Sequence, residues 1–189
     1  GLKPGDNLLF RMVVTSDDGW IENVRKLPPS APTNGNQTVS LPTPNSTNEA
    51  TFRRAPIVEP LNVGDPVPDY KFTNQFGQPI SLAQYKGQAL AFTFIFTRCP
   101  YPDFCPRMTD LFERDQKTLA GQPEAPKNLR FLSISFDPEH DTPELLRAYA
   151  ERQHYDPAQW TLATGAWDQL EPLTGHFGLI FGRDVPPEK

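Results

Sequence analysis

The sequence predicts an α/β fold, a central and largely parallel sheet with helices on its faces, preceded by a β-hairpin and a linker. Three observations carry this expectation. From residue 61 onward, apolar runs of strand length alternate with stretches whose apolar residues recur at helical spacing, as parallel strands joined by helices require. Between Leu27 and Pro60 the chain is rich in Pro, Asn, Ser and Thr and poor in periodic apolar residues. Such a composition buries too little surface to offset its ordering entropy. Ahead of it, two strand-like runs flank one turn signal.

Taken from the N-terminus, Asn7–Thr15 and Trp20–Leu27 are the two runs, and Ser16-Asp17-Asp18-Gly19 is the turn between them. A lone hairpin is marginal in water, so residues 1–27 are expected to be the end of a small β-domain. Residues 28–60 form the expected linker. Its Asn36-Gln37-Thr38 and Asn45-Ser46-Thr47 match the glycosylation acceptor pattern, which an Asn- and Thr-rich segment supplies by chance. Residues 61–189 make the α/β domain. Val67–Phe72 and Gln78–Leu82 flank Gly77 as a short hairpin would. Ala91–Thr97 is apolar and β-rich enough for a strand buried on both faces. Cys105–Leu119 reads as a helix with Pro106 at its first position and an apolar stripe of Met108, Leu111, Phe112 and Leu119. Leu129–Phe136 is a second buried strand, and Thr142-Pro143 opens a helix with Leu145, Leu146 and Tyr149 inward. Trp160–Ala163 is a short strand. Trp167–Phe177 is a helix that Pro172 is placed to kink or split, and Leu179–Phe181 begins a last strand.

Bulk composition narrows the function. The 189 residues are 37% hydrophobic and 22% charged, within the range of soluble globular proteins. A net charge of -5 and a pI near 5.2 argue against a nucleic-acid binder, which normally presents a basic face. The longest apolar stretch, Ala89–Phe96, falls far short of the roughly 20 residues a membrane-spanning helix needs.

Two cysteines remain as the chemistry-bearing pair. A close pair in a chain this poor in cysteine reads as redox-active or metal-binding rather than as a staple, with one inert disulfide as the plainer alternative. Cys99 follows a predicted central strand and Cys105 precedes a predicted helix. A helix N-terminus, with Arg98 and Arg107 nearby, is expected to favour thiolate over thiol, the form that both attacks disulfides and binds metal. Five residues separate the two, stiffened by Pro100, Pro102 and Pro106 around the turn. A loop of that length can bring the Cα atoms within the roughly 4.4–6.8 Å a disulfide requires, or aim both sulfurs at one ion. Soft thiolates select Cu(I) or Zn, and a structural zinc site wants four ligands where two cysteines exist. Of the three histidines, His140 is expected on an exposed acidic turn, and His154 and His176 near helix ends. None is a favoured ligand.

Three segments carry a resemblance. Gly64-Asp-Pro-Val-Pro-Asp-Tyr70, Phe92-Thr-Phe-Ile-Phe-Thr-Arg-Cys-Pro100 with Cys105-Pro-Arg-Met108, and Ser133-Ile-Ser-Phe-Asp-Pro-Glu-His-Asp-Thr-Pro-Glu144 are similar to the Sco/SenC family of thioredoxin-like copper proteins. The resemblance spans residue 61 to the end. It implies a thioredoxin-like fold and copper, as Cu(I) or Cu(II), held through Cys99, Cys105 and a histidine expected beyond Lys189. It further implies help in assembling the copper centre of cytochrome c oxidase, with its subunit II or another copper recipient as partner. A periplasmic or other extracytoplasmic location, with a membrane anchor in the full-length protein, is implied too. The chain departs from the usual Cys-x3-Cys of that family by two residues. Leu2–Phe10 followed by Gly19–Val24 also resembles the last two strands of a small copper-binding barrel of the CusF type.

The leading expectation is therefore a copper metallochaperone. A thiol–disulfide oxidoreductase acting on partner cysteines uses the same pair, one thiolate attacking and the other resolving. A peroxiredoxin-like peroxidase is the third reading, suggested by Thr97-Arg98-Cys99-Pro100.

Overall fold

The computed structural model describes residues 8–14, 19–26, 51–54, 58–179 and 181–185. The chain divides into two compact units, Gly1–Thr51 with Val185–Lys189, and Phe52–Asp184. In the first, β1 (Leu8–Val14) and β2 (Gly19–Lys26) pair antiparallel, Leu8 opposite Lys26 and Val14 opposite Gly19. The ladder is irregular between Leu9 and Arg11. Most of the predicted turn lies outside the described residues, as do both glycosylation patterns and most of the expected linker. Within that linker, however, Thr51–Arg54 forms β3.

The second unit alternates strands and helices as expected. In chain order these are β4 (Lys71–Asn74), β5 (Pro79–Ser81), a 3₁₀ turn (Leu82–Tyr85), β6 (Ala89–Ile95), α1 (Cys105–Ala120), β7 (Leu129–Ser135), α2 (Pro143–Arg152), β8 (Trp160–Thr164), α3 (Trp167–His176) and β9 (Gly182–Val185). Five strands form one sheet in the order β5-β4-β8-β7-β6, and β3 pairs with β9 separately. β6, β7 and β8 run parallel, while β4 is antiparallel to both β8 and β5. Gly77, at φ +74°, turns the chain between β4 and β5 in a conformation open to glycine.

Strand side chains alternate between faces, and the core follows that alternation. Leu132 and Ile134 of β7 pack with Tyr70, Phe72, Leu170 and Leu173, the last two from α3. On α1, Phe112 meets Phe131 and Trp160 edge to face, with ring centroids 5.1 and 5.7 Å apart. Each such buried side chain contributes about 1.5–3 kcal/mol relative to exposure.

Several local expectations are corrected. β6 is the end strand of the five-stranded sheet rather than a strand buried on both faces, and Leu90, Ala91, Phe92 and Phe94 are only half-buried. It ends at Ile95, leaving Phe96 and Thr97 in the connection beyond. Helix α1 begins at Cys105 itself, so Pro106 is its second residue. Its buried stripe is Cys105, Thr109, Phe112 and Gln116, while Met108 is 37% exposed. Hydropathy missed this stripe because two members are polar and satisfied. Gln116 exchanges hydrogen bonds with the backbone of Asp156 at 3.2 and 3.0 Å, and Thr109 bonds the Tyr149 hydroxyl at 2.8 Å.

On α2, Leu146 and Tyr149 point inward, but Leu145 is 41% exposed, a full helical step around from Leu146. Thr142 caps this helix, its hydroxyl accepting from the Leu145 N–H at 3.3 Å. Helix α3 runs through Pro172 without splitting. The last strand starts at Gly182, after the Leu179–Phe181 segment expected to open it.

Candidate metal centre

Parallel register brings two distant connections to the same end of the sheet. Ile95, the last residue of β6, pairs with Ser135, the last of β7. The chain segments leaving these two positions therefore emerge side by side at the carboxyl ends of the strands, where open α/β sheets place their sites. One segment is 96–104, which carries Cys99 and leads into Cys105. The other is 136–142, the Phe-Asp-Pro-Glu-His-Asp-Thr stretch before α2.

The second segment grips the stem of the first. Asp141, with no exposed surface, accepts the Thr97 N–H at 3.0 Å, the Thr97 hydroxyl at 2.5 Å and the Ser135 hydroxyl at 2.5 Å. Arg98 Nε donates to Asp137 at 2.8 Å, and this pair is partly shielded from solvent. The Asp137 carbonyl in turn accepts the Asp141 N–H at 2.8 Å and the His140 N–H at 3.1 Å. None of these acidic residues was singled out as a site residue from the sequence. The available signal was the Asp137-Pro-Glu-His-Asp141 stretch itself, but burial of a carboxylate is a tertiary property.

Beyond Arg98 the thiols follow. The Cys99 N–H donates to the Phe96 carbonyl at 3.2 Å, and its sulfur lies 3.8 Å from the Tyr101 carbonyl. Tyr101 packs edge-on to Phe104, which precedes α1 and caps it without a side-chain hydrogen bond. Cys105 then opens α1, its carbonyl accepting the Thr109 hydroxyl at 3.0 Å. Both cysteines are free thiols, Cys99 half-buried and Cys105 only 7% exposed.

The expected thiolate at the helix start is not what the environment of Cys105 favours. Desolvation by burial, first of all, pushes this thiol up to about 12. The Phe96 N–H opposes that shift, while the charge of a Cys99 thiolate and a hydrogen bond with Cys99 reinforce it. Arg98 is drawn to Asp137 and Arg107 is exposed, so neither side chain is committed to the thiol. Burial wins over the helix dipole here.

The histidines are scattered. His140 is half-buried on the connection after β7, not exposed as expected. His154 is exposed, at φ +51°, with Nδ1 3.7 Å from Glu113. His176 ends α3, its Nδ1 2.7 Å from the Tyr70 hydroxyl. Among the described residues no three His, Cys, Asp or Glu side chains gather around a point that could hold a metal. The donor set is thus the two sulfurs, soft and adjacent, which suits Cu(I) better than a closed zinc site.

Known proteins resemble this chain in sequence and fold. A SCO1 protein homolog of Bacillus subtilis is 35% identical over 109 residues, covering 58% of this chain and 53% of the relative. A Stutzerimonas stutzeri relative, named for copper binding, is 35% identical over 117 residues, covering 61% of this chain and 53% of its own length. The chain spans about half the length of these relatives. Among solved structures, BsSco is described as a member of the Sco family of cytochrome c oxidase assembly proteins with a disulfide switch. It superposes with a TM-score of 0.52 at 33% identity, over 62% of this chain and 66% of that one. A SCO1/SenC family lipoprotein from Bacillus anthracis gives a TM-score of 0.51 at 29% identity, over 62% and 73% of the two chains. The thioredoxin-like α/β fold expected from the resemblance is the fold of these Sco structures. The SCO1/SenC family model matches residues 59–188, most of the second unit and more than half of the sequence, and the chain belongs to that family.

Proposed function

We propose that this chain carries copper, taking Cu(I) between the sulfurs of Cys99 and Cys105 and handing it to a recipient. The observation that carries the reading is the pair itself: two adjacent free thiols at the carboxyl end of the sheet, one reachable from solvent and one buried. Soft thiolates hold Cu(I) tightly in preference to harder ions. Binding releases the thiol protons, including the one that burial holds on Cys105, so loading is an exchange of protons for metal. The half-buried Cys99 is the side from which the ion arrives and leaves.

The recipient proposed is cytochrome c oxidase subunit II, in keeping with the oxidase assembly role named for BsSco. An extracytoplasmic location with a membrane anchor accords with the Bacillus anthracis lipoprotein. Among the described residues no helix is long and apolar enough to cross a membrane. The β1–β2 hairpin is proposed as the end of a CusF-like copper barrel, tethered so that one site raises the effective concentration of copper at the other.

The test is a Cu(I) titration of the reduced protein against a competing chelator, alongside Cys99→Ser and Cys105→Ser. Tight one-to-one binding lost in both variants is the expected result. Absence of binding in the reduced wild type would overturn the reading.

One observation favours a second reading. Cys99 stands close enough to Cys105 to raise its pKa, so the two free thiols are placed to close a disulfide while a partner disulfide accepts two electrons and two protons. The peroxidase reading fares worse. Such a site sets a threonine and an arginine around its thiolate, whereas Thr97 is bound to Asp141 and Arg98 to Asp137.

A further inference from the structure

The two sulfurs are carried by a turn and a helix start that meet at one residue, Phe96. Its carbonyl accepts the Cys99 N–H at 3.2 Å, and its backbone favours the thiolate of the buried Cys105 against the push of desolvation. The next residue, Thr97, is fixed twice by one carboxyl group, through its backbone N–H to one oxygen of Asp141 and through its hydroxyl to the other. Ser135, at the end of β7, ties the same carboxylate to the sheet. A buried carboxylate is costly unless donors fill its lone pairs. Asp141 therefore cannot move without losing the bonds that hold Thr97, and Thr97 cannot rotate without dragging the Phe96 peptide, whose carbonyl closes the Cys99 turn ahead of Cys105.

We infer that Asp141 is a positioning residue for the thiol pair, setting the placement of Cys99 and Cys105 through Thr97 and the adjoining Phe96 peptide. This deepens the copper-carrier reading and rests on it. Asp141 makes no contact with the ion. It acts as outer-shell partners of metal ligands do, by fixing where the ligands point.

A buried carboxylate also serves the fold, so the test compares substitutions of similar structural cost. Thr97→Val removes the hydroxyl that donates to Asp141, and Thr97→Ser keeps it. Ser133→Ala removes the acceptor of the Trp160 Nε1–H, a buried 3.0 Å bond in the same sheet with no link to the cysteines. Asp141→Asn strikes the carboxylate directly, and Thr97→Val decides the matter should that variant fail to fold. Two readouts are taken on the full chain beside thermal unfolding. One is Cu(I) affinity by chelator competition. The other is the dithiol–disulfide equilibrium of Cys99 and Cys105 against dithiothreitol, in which the protein disulfide takes two electrons and two protons as the reagent closes to its cyclic disulfide.

Thr97→Val is expected to weaken Cu(I) binding about 10–100-fold, the usual cost of an outer-shell partner, and to shift the disulfide equilibrium as well. Thr97→Ser is expected to restore both, and Ser133→Ala to lose stability while moving neither. Equal shifts in Thr97→Val and Ser133→Ala, or wild-type values of both readouts in Thr97→Val, would overturn the positioning role. Should the wild type itself bind no Cu(I), the carrier reading falls, and the disulfide equilibrium decides the role of Asp141 by the same comparison.

Discussion

Cys105 and Cys99 are the same chemical group in unequal surroundings, and the difference is measurable in the metal-free reduced protein. Cys105 is buried and holds its proton far above neutral pH, whereas Cys99 is half-buried. Timed alkylation at pH 8, read by peptide mass spectrometry, should label Cys99 well before Cys105; equal rates would contradict the environment described. The same burial links to stability. An unfolded chain ionises this thiol from about 9.0, while the folded chain keeps the proton up to about 12. Between those values the folded state binds more protons, so stability falls as pH rises through that window. Denaturant unfolding of the reduced protein across pH 8 to about 10.5 should show the decline, and Cys105→Ser should flatten it. At this scale the sequence displayed the two cysteines plainly, since composition alone isolates them. It did not display Asp141, because an aspartate two positions before a helical proline reads as an ordinary turn residue until the fold closes over it.

Between elements, polar contacts do the registering. Thr109 of α1 bonds both the Cys105 carbonyl and the Tyr149 hydroxyl of α2, so one hydroxyl couples the first turn of α1 to its neighbour. Tyr149→Phe leaves Thr109 its carbonyl partner and should cost about 1 kcal/mol in unfolding free energy. Thr109→Val strands a buried phenol and should cost more, about 1–3 kcal/mol. At the end of β8 the backbone runs close to β4. A Cβ placed on Gly165 would lie 2.9 Å from Phe72 Cδ1 and 3.3 Å from the Lys71 carbonyl. Gly165→Ala should therefore destabilise by about 1–3 kcal/mol, the usual penalty for overpacking, with a lowered midpoint in denaturant as the check.

The strands and helices of the second unit were legible because their periods are clean. β7 has a run of Phe, Leu and Ile at both parities, and Thr142-Pro143 marks the start of α2. The side each helix buries was less legible. The stripe of α1 contains Thr109 and Gln116, whose partners sit on α2 and before β8, and hydropathy counts neither as inward. β3 lay hidden in a proline-rich stretch, since four residues give too short a pattern to stand out.

For the whole molecule, copper and stability are linked. An ion that binds only the folded chain stabilises it by about 2.7 kcal/mol at a free concentration 100 times its Kd. Calorimetry of the reduced protein should show the transition rising with Cu(I) and falling back when a chelator removes it. A transition indifferent to Cu(I) would mean that the ion does not select the folded state.

The order of the strands also dictates when the protein becomes itself. β4 finds its inner neighbour in β8, Thr73 opposite Thr164, about 90 residues later in the chain, and closing so long a loop makes for slow, late assembly. During synthesis the cysteines are made well before β8 is available, and Asp141 also follows them by some 40 residues. For that interval Cys99 and Cys105 are open to any oxidant or metal present. The nascent chain is thus at its most reactive before it has a site, and a helper that shields its thiols would serve it earlier than one that delivers copper.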